Sequence, residues 1–404
     1  MDIRRKRLYD ILTLFIIATI ICFYTTSQSR LSIQLKFTED DVDDRPKAAI
    51  MALCRNKELE AMAKTMQQLE DRFNKKFKYD WVFLNNEQFS PDFINTTSAI
   101  ASGRVKHVLI PMKYWSYPWW IDQDKAANTR EEMKAQKIIY GGSESYRHMC
   151  RFKSGFFFEL DEMAEYDYYW LVEPNTQFFC DVDYDVFQYM KDNNKLFGFS
   201  LVAGEIRKTI RTFWKSTKEF LDEHPEYIAE NNLSEFITNN KRSSFNGNHF
   251  WSNLEIGSLK FFRSEAYREY FKHMDQAGGF FYERWGDGPL HAVAATHFIP
   301  KDQIHFFDIG YRHGILQTCP LDEEYRSEHN CACNPGKDFR YRDSVIGRMA
   351  KKFYDLMELP KPEQYPLFAQ GDPTKPKVTK TAATALVAPP SDAPPSDVPL
   401  SKAA

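Results

Sequence analysis

The chain as a whole lacks a surplus of either charge. Its 53 basic residues face 56 acidic ones, a formal net charge of −3, whereas a general nucleic-acid binder needs a basic excess. Glycine numbers 17 in 404 residues, far from the periodic one-third that a collagen requires. There is no GxGxxG and no Walker loop, so neither a dinucleotide fold nor a P-loop is supported. No repeat of solenoid period occurs. Apolar runs of membrane length are confined to one stretch, which excludes a polytopic membrane protein. What is abundant is aromatic and apolar side chain, 15% and 43% of the residues. That excludes wholesale disorder and provides for a sizeable core in one large or two ordinary domains.

The two ends differ from the middle. Residues 4–7 read Arg-Arg-Lys-Arg, and the run 8–24 holds a single charge, Asp10. A basic block before an apolar run keeps the N-terminus on the cytoplasmic side. The pattern predicts a cytoplasmic tail over 1–7 and an uncleaved transmembrane signal anchor over 8–24. A cleaved signal peptide is the competing reading, but the polar residues 25–28 offer no small-x-small cleavage site. Either reading sends the rest of the chain into the secretory lumen. Residues 25–46 are polar, with an acidic cluster at 39–44, and read as a stem. The segment 366–404 is rich in Pro, Ala, Ser and Thr and cannot bury enough apolar area to order itself.

Seven cysteines stand at 22, 54, 150, 180, 319, 331 and 333. Cys22 falls in the anchor, which leaves an even lumenal set that permits disulfides without fixing their pairing. Cys331-Ala-Cys333 is too closely spaced for the usual zinc pair. Asn95-Thr96-Thr97 and Asn232-Leu233-Ser234 are glycan acceptors if exposed.

The middle, 47–365, reads as one α/β domain. Residues 48–53 form a continuous apolar run, as in a strand buried on both faces. Apolar residues then recur at 59, 62, 66, 69 and 73 with helical spacing, and 80–84 and 105–110 are further strands. Strand, helix, strand is the unit of a parallel sheet, whose ligands sit beyond the carboxyl ends of its strands. Arg55, Asn56 and Asn85 therefore point towards a site. A later strand, 167–172, stops in Glu173-Pro174-Asn175. A carboxylate at the tip of a buried strand is well placed to hold a hard cation. Downstream, Cys180-Asp181-Val182-Asp183 spells a DxD metal motif, with Asp185 beside it. The competing reading is a solvated helix start near Val186, where aspartates cap and meet the dipole.

Longer motifs occur in a fixed order: Tyr114-Trp115-Ser116-Tyr117-Pro118; Tyr146-Arg147-His148-Met149-Cys150-Arg151-Phe152, then Ser154-Gly155-Phe156-Phe157; Tyr169-Trp170-x-Val172-Glu173-Pro174; and His249-Phe250-Trp251-Ser252-Asn253-x-Glu255-Ile256. Residues 278–287 read GGFFYERWGD, and His305 to His313 follow. In these segments the chain, from about 48 to 320, resembles the fungal Golgi α-1,2-mannosyltransferases of Kre2/Mnt1 (KTR) type, glycosyltransferase family 15.

The resemblance implies a GT-A-like catalytic domain with a mixed, mainly parallel sheet flanked by helices, behind a type II Golgi membrane anchor. It implies transfer of mannose from GDP-mannose with retention to mannosylated glycoprotein or glycolipid acceptors, with Mn²⁺ as cofactor and no nucleic-acid partner. Residue by residue, Glu255 falls on the proposed nucleophile; a salt bridge to an arginine such as Arg263 is the alternative. A carboxylate below the sugar ring suits retention. Glu173 and His313 fall on the metal site, and Tyr146 on an active-site tyrosine. Arg55, Trp251, Asn253, Arg284, Trp285 and Asp287 are expected to contact donor or acceptor, Trp285 by stacking on a sugar and Arg284 by meeting a diphosphate. Two positions depart from the family pattern: Asn175, where Asp or Gly is frequent, and Asn248, where a cysteine is usual. Mannosylphosphate transfer on the same fold, and a non-catalytic lumenal mannan-binding protein, are the alternative functions.

Overall fold

The computed structural model describes residues 45–360, apart from 241 and 242, together with 362 and 367. The expected tail 1–7 and anchor 8–24, with Cys22, nearly all of the stem 25–46 and nearly all of 366–404 lie outside these residues. No helix among the described residues is long and apolar enough to cross a membrane.

A seven-stranded sheet organises the domain. Its strands are β1 (Ala48–Leu53), β2 (Asp80–Asn85), β3 (Val105–Leu109), β4 (Tyr168–Val172), β6 (Phe197–Phe199), β11 (Leu254–Ser258) and β12 (Ile304–Phe306), in the order β12-β6-β11-β4-β1-β2-β3. The first strand is Ala-Ile-Met-Ala-rich and buried along nearly its whole length, because helices cover both faces of a parallel sheet. β1 pairs in parallel with β2 and β4, and β2 with β3. Only β11 runs against its neighbours, antiparallel to β4 and to β6, so the sheet is mixed and mainly parallel as expected.

That one reversal positions the site. The carboxyl ends of β1, β2 and β4 open on one rim, and β11 presents its amino end there, with Leu254 opposite Val172. The lead-in Trp251-Ser252-Asn253 thereby arrives beside Glu173. Glu255 is one residue further in, opposite Leu171 and Phe199.

The helix predicted after β1 is present, but not as one regular element. Leu59–Leu69 is α-helical, Glu70–Asn74 widens to a π-turn, and Lys75–Phe77 closes it. The π-turn carries a buried carboxylate, Glu70, which accepts from Trp81 Nε1 at 2.7 Å, Asn74 Nδ2 at 2.8 Å and the Ser102 amide at 3.1 Å. A buried anion is tolerated only when its acceptors are filled in this way.

Small ribbons surround the rim. β7 (Val202–Gly204) pairs with β10 (Asn248–Phe250), and β8 (Thr238–Asn239) with β9 (Ser244–Phe245). β5 (Gln177–Phe178), β13 (Tyr311–His313) and β14 (Leu316–Gln317) form a three-stranded ribbon centred on β13. Two disulfides clamp it, Cys180–Cys331 and Cys319–Cys333. Cys54 and Cys150 are free and buried. Both cysteines of the Cys331-Ala-Cys333 pair are thus consumed in disulfides, each with a different partner.

The fold engages the carboxylates of the DxD segment with other parts of the chain. Asp181 pairs with Arg72 at 2.9 Å and accepts from Asn330; Asp183 faces His329 at 3.3 Å. Asp185 caps the helix Val186–Asp192, accepting from the Phe187 and Gln188 amides and from Tyr79 Oη.

Candidate active site

The rim holds a cleft of about 260 Å³ lined from all these directions. Of the residues singled out in the sequence, Arg55, Asn85, Tyr146, Glu173, Trp251, Asn253, Arg284, Asp287 and His313 line it. Asn56 does not: its side chain is used locally, donating to Gln88 O and accepting from the Ser90 amide.

Glu173 and His313 meet although far apart in sequence. Glu173 directly follows β4, and the turn there leads into β5, whose partner β13 ends in His313. Asn175 takes φ +65° in that turn, a left-handed conformation that Asn accepts more readily than most residues. His313 Nε2 lies 3.6 Å from Glu173 Oε2. Nδ1 of the same ring is 3.1 Å from Thr176 Oγ1, and such a hydrogen bond on one nitrogen fixes the ring and directs the other. Burial holds the imidazole below its usual pKa against the opposing pull of Glu173, so the ring is in its neutral, ligating form. One hard oxygen and one neutral nitrogen facing each other fit a divalent transition ion. Among the described residues no group of three or more His, Cys, Asp or Glu is gathered that could hold a metal ion.

Behind Glu173 stands Lys153, in the last turn of the helix Glu144–Gly155. Its ammonium is 2.9 Å from Glu173 Oε1 and 3.3 Å from Asp287 Oδ2. Burial alone lowers a lysine pKa, but here Asp287 and Glu173 outweigh it and raise it. Asp287, at the start of the helix Asp287–Phe298, also accepts from Ser252 Oγ at 2.9 Å. Burial would raise its pKa; Lys153 and then His291 overcome that and hold the carboxyl ionised.

The opposite wall is cationic and aromatic. Arg284 is buried, bonds Glu205 at 3.0 Å and stacks over the Tyr146 ring at 5.4 Å. Tyr146 in turn stacks on Tyr140, centroids 4.4 Å apart. Arg55 is forked onto Glu58 through Nε and Nη2. Arg55 Nη1, Asn85 Nδ2 and Asn253 Nδ2 are buried donors with no hydrogen-bond partner among the described residues. Buried donors left unpaired are costly unless a ligand meets them, and here three line one cleft. The Trp251 ring stands edge-on to His313 at 5.7 Å.

Two sequence expectations are corrected. Trp285 is fully buried and does not line the cleft. Its ring fills the space above Gly279, where a Cβ would come within 2.0 Å of it, and its Nε1 donates to Glu283 at 2.7 Å. It is a core side chain and cannot stack on a sugar. Glu255, 1% exposed, is likewise absent from the cleft lining. The register of β11 places it inside the sheet, where Tyr169 Oη donates to it and His291 Nδ1 lies 3.0 Å away. Arg263 is not its partner; that guanidinium donates to the carbonyls of Phe158, Tyr166 and Met163. Burial lowers the pKa of His291, but Glu255 outweighs it and raises it. His291 Nε2 reaches Lys153 O at 3.2 Å, so this buried pair underpins the cleft floor without entering it.

Sequence reasoning missed Lys153, Glu205 and Tyr140. A signal for Lys153 existed: with Tyr146, Met149 and Cys150 it follows the i, i+3, i+4, i+7 stripe of one helix face.

The profile of the glycolipid 2-alpha-mannosyltransferase family matches residues 24–356. Glycolipid 2-alpha-mannosyltransferase 1 of Candida albicans is 54% identical over 302 residues, 74% of this chain and 70% of that protein. Alpha-1,2 mannosyltransferase KTR1 of Saccharomyces cerevisiae is 49% identical, covering 79% and 80% of the two chains. Among solved structures, core-mannan synthase A (CmsA/Ktr4) from Aspergillus fumigatus in its Mn/GDP form superposes with a TM-score of 0.72. It is 36% identical, over 78% of this chain and 87% of that one. The mannosyltransferase Ktr4p of S. cerevisiae in complex with GDP gives 0.70 at 37% identity, over 73% and 77%.

Proposed function

This chain belongs to the glycolipid 2-alpha-mannosyltransferase family and is a GDP-mannose-dependent hexosyltransferase of the α-1,2-mannosyl type, and from that premise we propose how its own residues carry the reaction. The observation that carries the proposal is the meeting of Glu173 and His313 at 3.6 Å, beside three unpaired buried donors. Glu173 and His313 would hold Mn²⁺, which when bound neutralises the charge of a leaving diphosphate. Arg55, with its free Nη1, and Arg284, steadied by Glu205 and the Tyr146 ring, supply fixed positive charge for the nucleotide phosphates. Trp251 offers an apolar edge to a pyranose, and Asn253 a free amide donor.

Retention by double displacement uses a negative group on the face of the sugar opposite the leaving phosphate. Asp287 is the ionised carboxylate that this arrangement presents to the cleft, held by Ser252 and Lys153. Glu255 lies one layer deeper. We assign it a positioning role, keeping His291 charged and the floor in register, in place of direct attack.

Acceptors are proposed to be mannosylated glycans of glycoproteins or glycolipids. The basic run 4–7 and the apolar run 8–24 support a further proposal, a type II protein of the Golgi membrane with its catalytic domain lumenal. Asn95 is exposed on the helix Pro91–Ile100, so a glycosidase-sensitive mass at Asn95 in the full-length protein tests lumenal placement; an unmodified Asn95 in secretory-expressed protein counts against it.

Incubation with GDP-mannose, Mn²⁺ and α-methyl mannoside tests the reaction. A 1→2-linked α-mannoside by NMR, with GDP released, is expected. Mannosylphosphate transfer would release GMP and leave a phosphodiester in the product. A mannan-binding protein without activity would release neither nucleotide.

A further inference from the structure

Lys153 holds Asp287 in the reaction scheme, but its closer contact with Glu173 is not explained by that role. Its side chain is 5% exposed, yet it carries a charge at the rim of an open cleft. Glu173 is divided between two neighbours. Oε1 faces Lys153 Nζ at 2.9 Å, and Oε2 faces His313 Nε2 at 3.6 Å. Asp287 closes the other side of the ammonium at 3.3 Å. One oxygen of the candidate metal ligand is therefore already engaged by a cation that is part of the chain.

We propose that Lys153 is a built-in counter-cation of the metal site, and that its charge holds down the affinity of Glu173 and His313 for a free divalent cation, so that the ion is retained mainly together with a diphosphate. The proposal rests on the reading that Glu173 and His313 form the metal site. Its basis is Coulombic. A dication on the Oε2 side of Glu173 and an ammonium on the Oε1 side repel one another across a few ångströms of poorly solvated space. A diphosphate brings negative charge to the same place and cancels that repulsion. Diphosphate and metal are then coupled, and by linkage each raises the affinity for the other by the same factor. Once the sugar has left and GDP departs, the ion is loosened with it.

A merely structural lysine predicts the opposite sign. If Lys153 only tied its helix to β4, losing it would loosen Glu173 and weaken metal binding. The experiment is calorimetric titration of full-length protein with Mn²⁺ alone, and again with GDP present, at pH 7. Lys153→Gln, which keeps length and a donor, should bind Mn²⁺ alone about tenfold tighter or more, and the gain in Mn²⁺ affinity produced by GDP should shrink. Lys153→Arg, which keeps the charge, should stay within about twofold of the parent. Equal or weaker Mn²⁺ binding by a folded Lys153→Gln protein overturns the proposal. If Lys153→Gln does not fold, Lys153→Met is read in the same way. If no charge-free variant folds while Lys153→Arg does, the lysine is a strut and the proposal fails. Glu173→Gln is the control for the underlying reading: if it binds Mn²⁺ as well as the parent, the metal site lies elsewhere, whatever Lys153 does.

Discussion

Replacing Glu255 by Gln separates a buried brace from an attacking group. Glu255 and His291 are each 1% exposed, with Nδ1 and Oε2 3.0 Å apart, and Tyr169 Oη donates to the same carboxylate. At an effective dielectric of about 20, two unit charges at that distance attract by roughly 5 kcal/mol. Removing one member of a buried pair costs about 3–5 kcal/mol. Gln preserves volume and some hydrogen bonding, so a loss of about 3 kcal/mol is expected. The pH dependence follows from His291. Its folded-state pKa is raised by Glu255, so its stabilisation is complete below the unfolded value of about 6.5 and is lost as pH rises through the folded value. The deficit of Glu255→Gln should therefore be largest near pH ~6 and shrink towards pH ~9. Urea unfolding followed by tryptophan fluorescence across that range reads it. Turnover of the folded variant should fall by less than about tenfold, because the carboxylate does not reach the cleft. A loss on the order of 10²-fold in kcat, with stability within about 1 kcal/mol of the parent, would refute this placement and restore direct attack by Glu255.

Asp287→Asn should lower kcat on the order of 10²-fold or more while GDP affinity is retained; near-normal turnover in a steady-state assay removes it from the chemistry. Glu173→Gln should abolish Mn²⁺-dependent turnover in a folded protein, whereas Asp181→Asn with Asp183→Asn should keep most of it, since those aspartates pair with Arg72 and His329 outside the cleft. The reverse outcome in the same assay would return the metal to the DxD segment. Trp285→Ala should cost about 3–5 kcal/mol of stability as a buried aromatic; an intact melting curve with a raised acceptor KM would contradict the core assignment. Thiol labelling of the unfolded, unreduced chain should modify Cys54 and Cys150 and leave 180, 319, 331 and 333 silent until reduction, as mass mapping of peptides would show.

Local periodicity carried the fold a long way. The first strand, the helix after it and the strands ending at Asn85 and Val172 follow from runs and spacings that depend on neighbours in sequence. The reversal of β11 does not, because strand direction is decided by the long connections that deliver β11 between β4 and β6. That reversal also separates Glu255 and Trp251 in depth though they are only four positions apart: Trp251 lies in the lead-in at the rim, while Glu255 is already inside β11, and each strand residue carries the chain roughly 3.2–3.4 Å further inward. Trp285 misled for a related reason: an aromatic beside glycines reads equally well as a sugar platform or as a ring seated on a bare backbone, and only the 2.0 Å approach at Gly279 decides between them. Lys153 was legible in principle, but a lysine on an apolar helix face gives no hint of which carboxylates will converge on it.

The clamped ribbon of β5, β13 and β14 bears on when during synthesis the site comes into being. Glu173 can be in place once β4 has docked on β1, with more than half of the chain still to be made. His313, together with Cys319, Cys331 and Cys333, emerges much later, and Cys180 must wait for Cys331. A ribosome-bound fragment ending before residue 313 would hold the arginines and Glu173 but only half of the proposed metal pair. If Glu173 and His313 hold the cation as proposed, the nascent chain could not bind it at both ligands until the ribbon has folded back and its disulfides have closed, which would tie the onset of activity to the completion of folding.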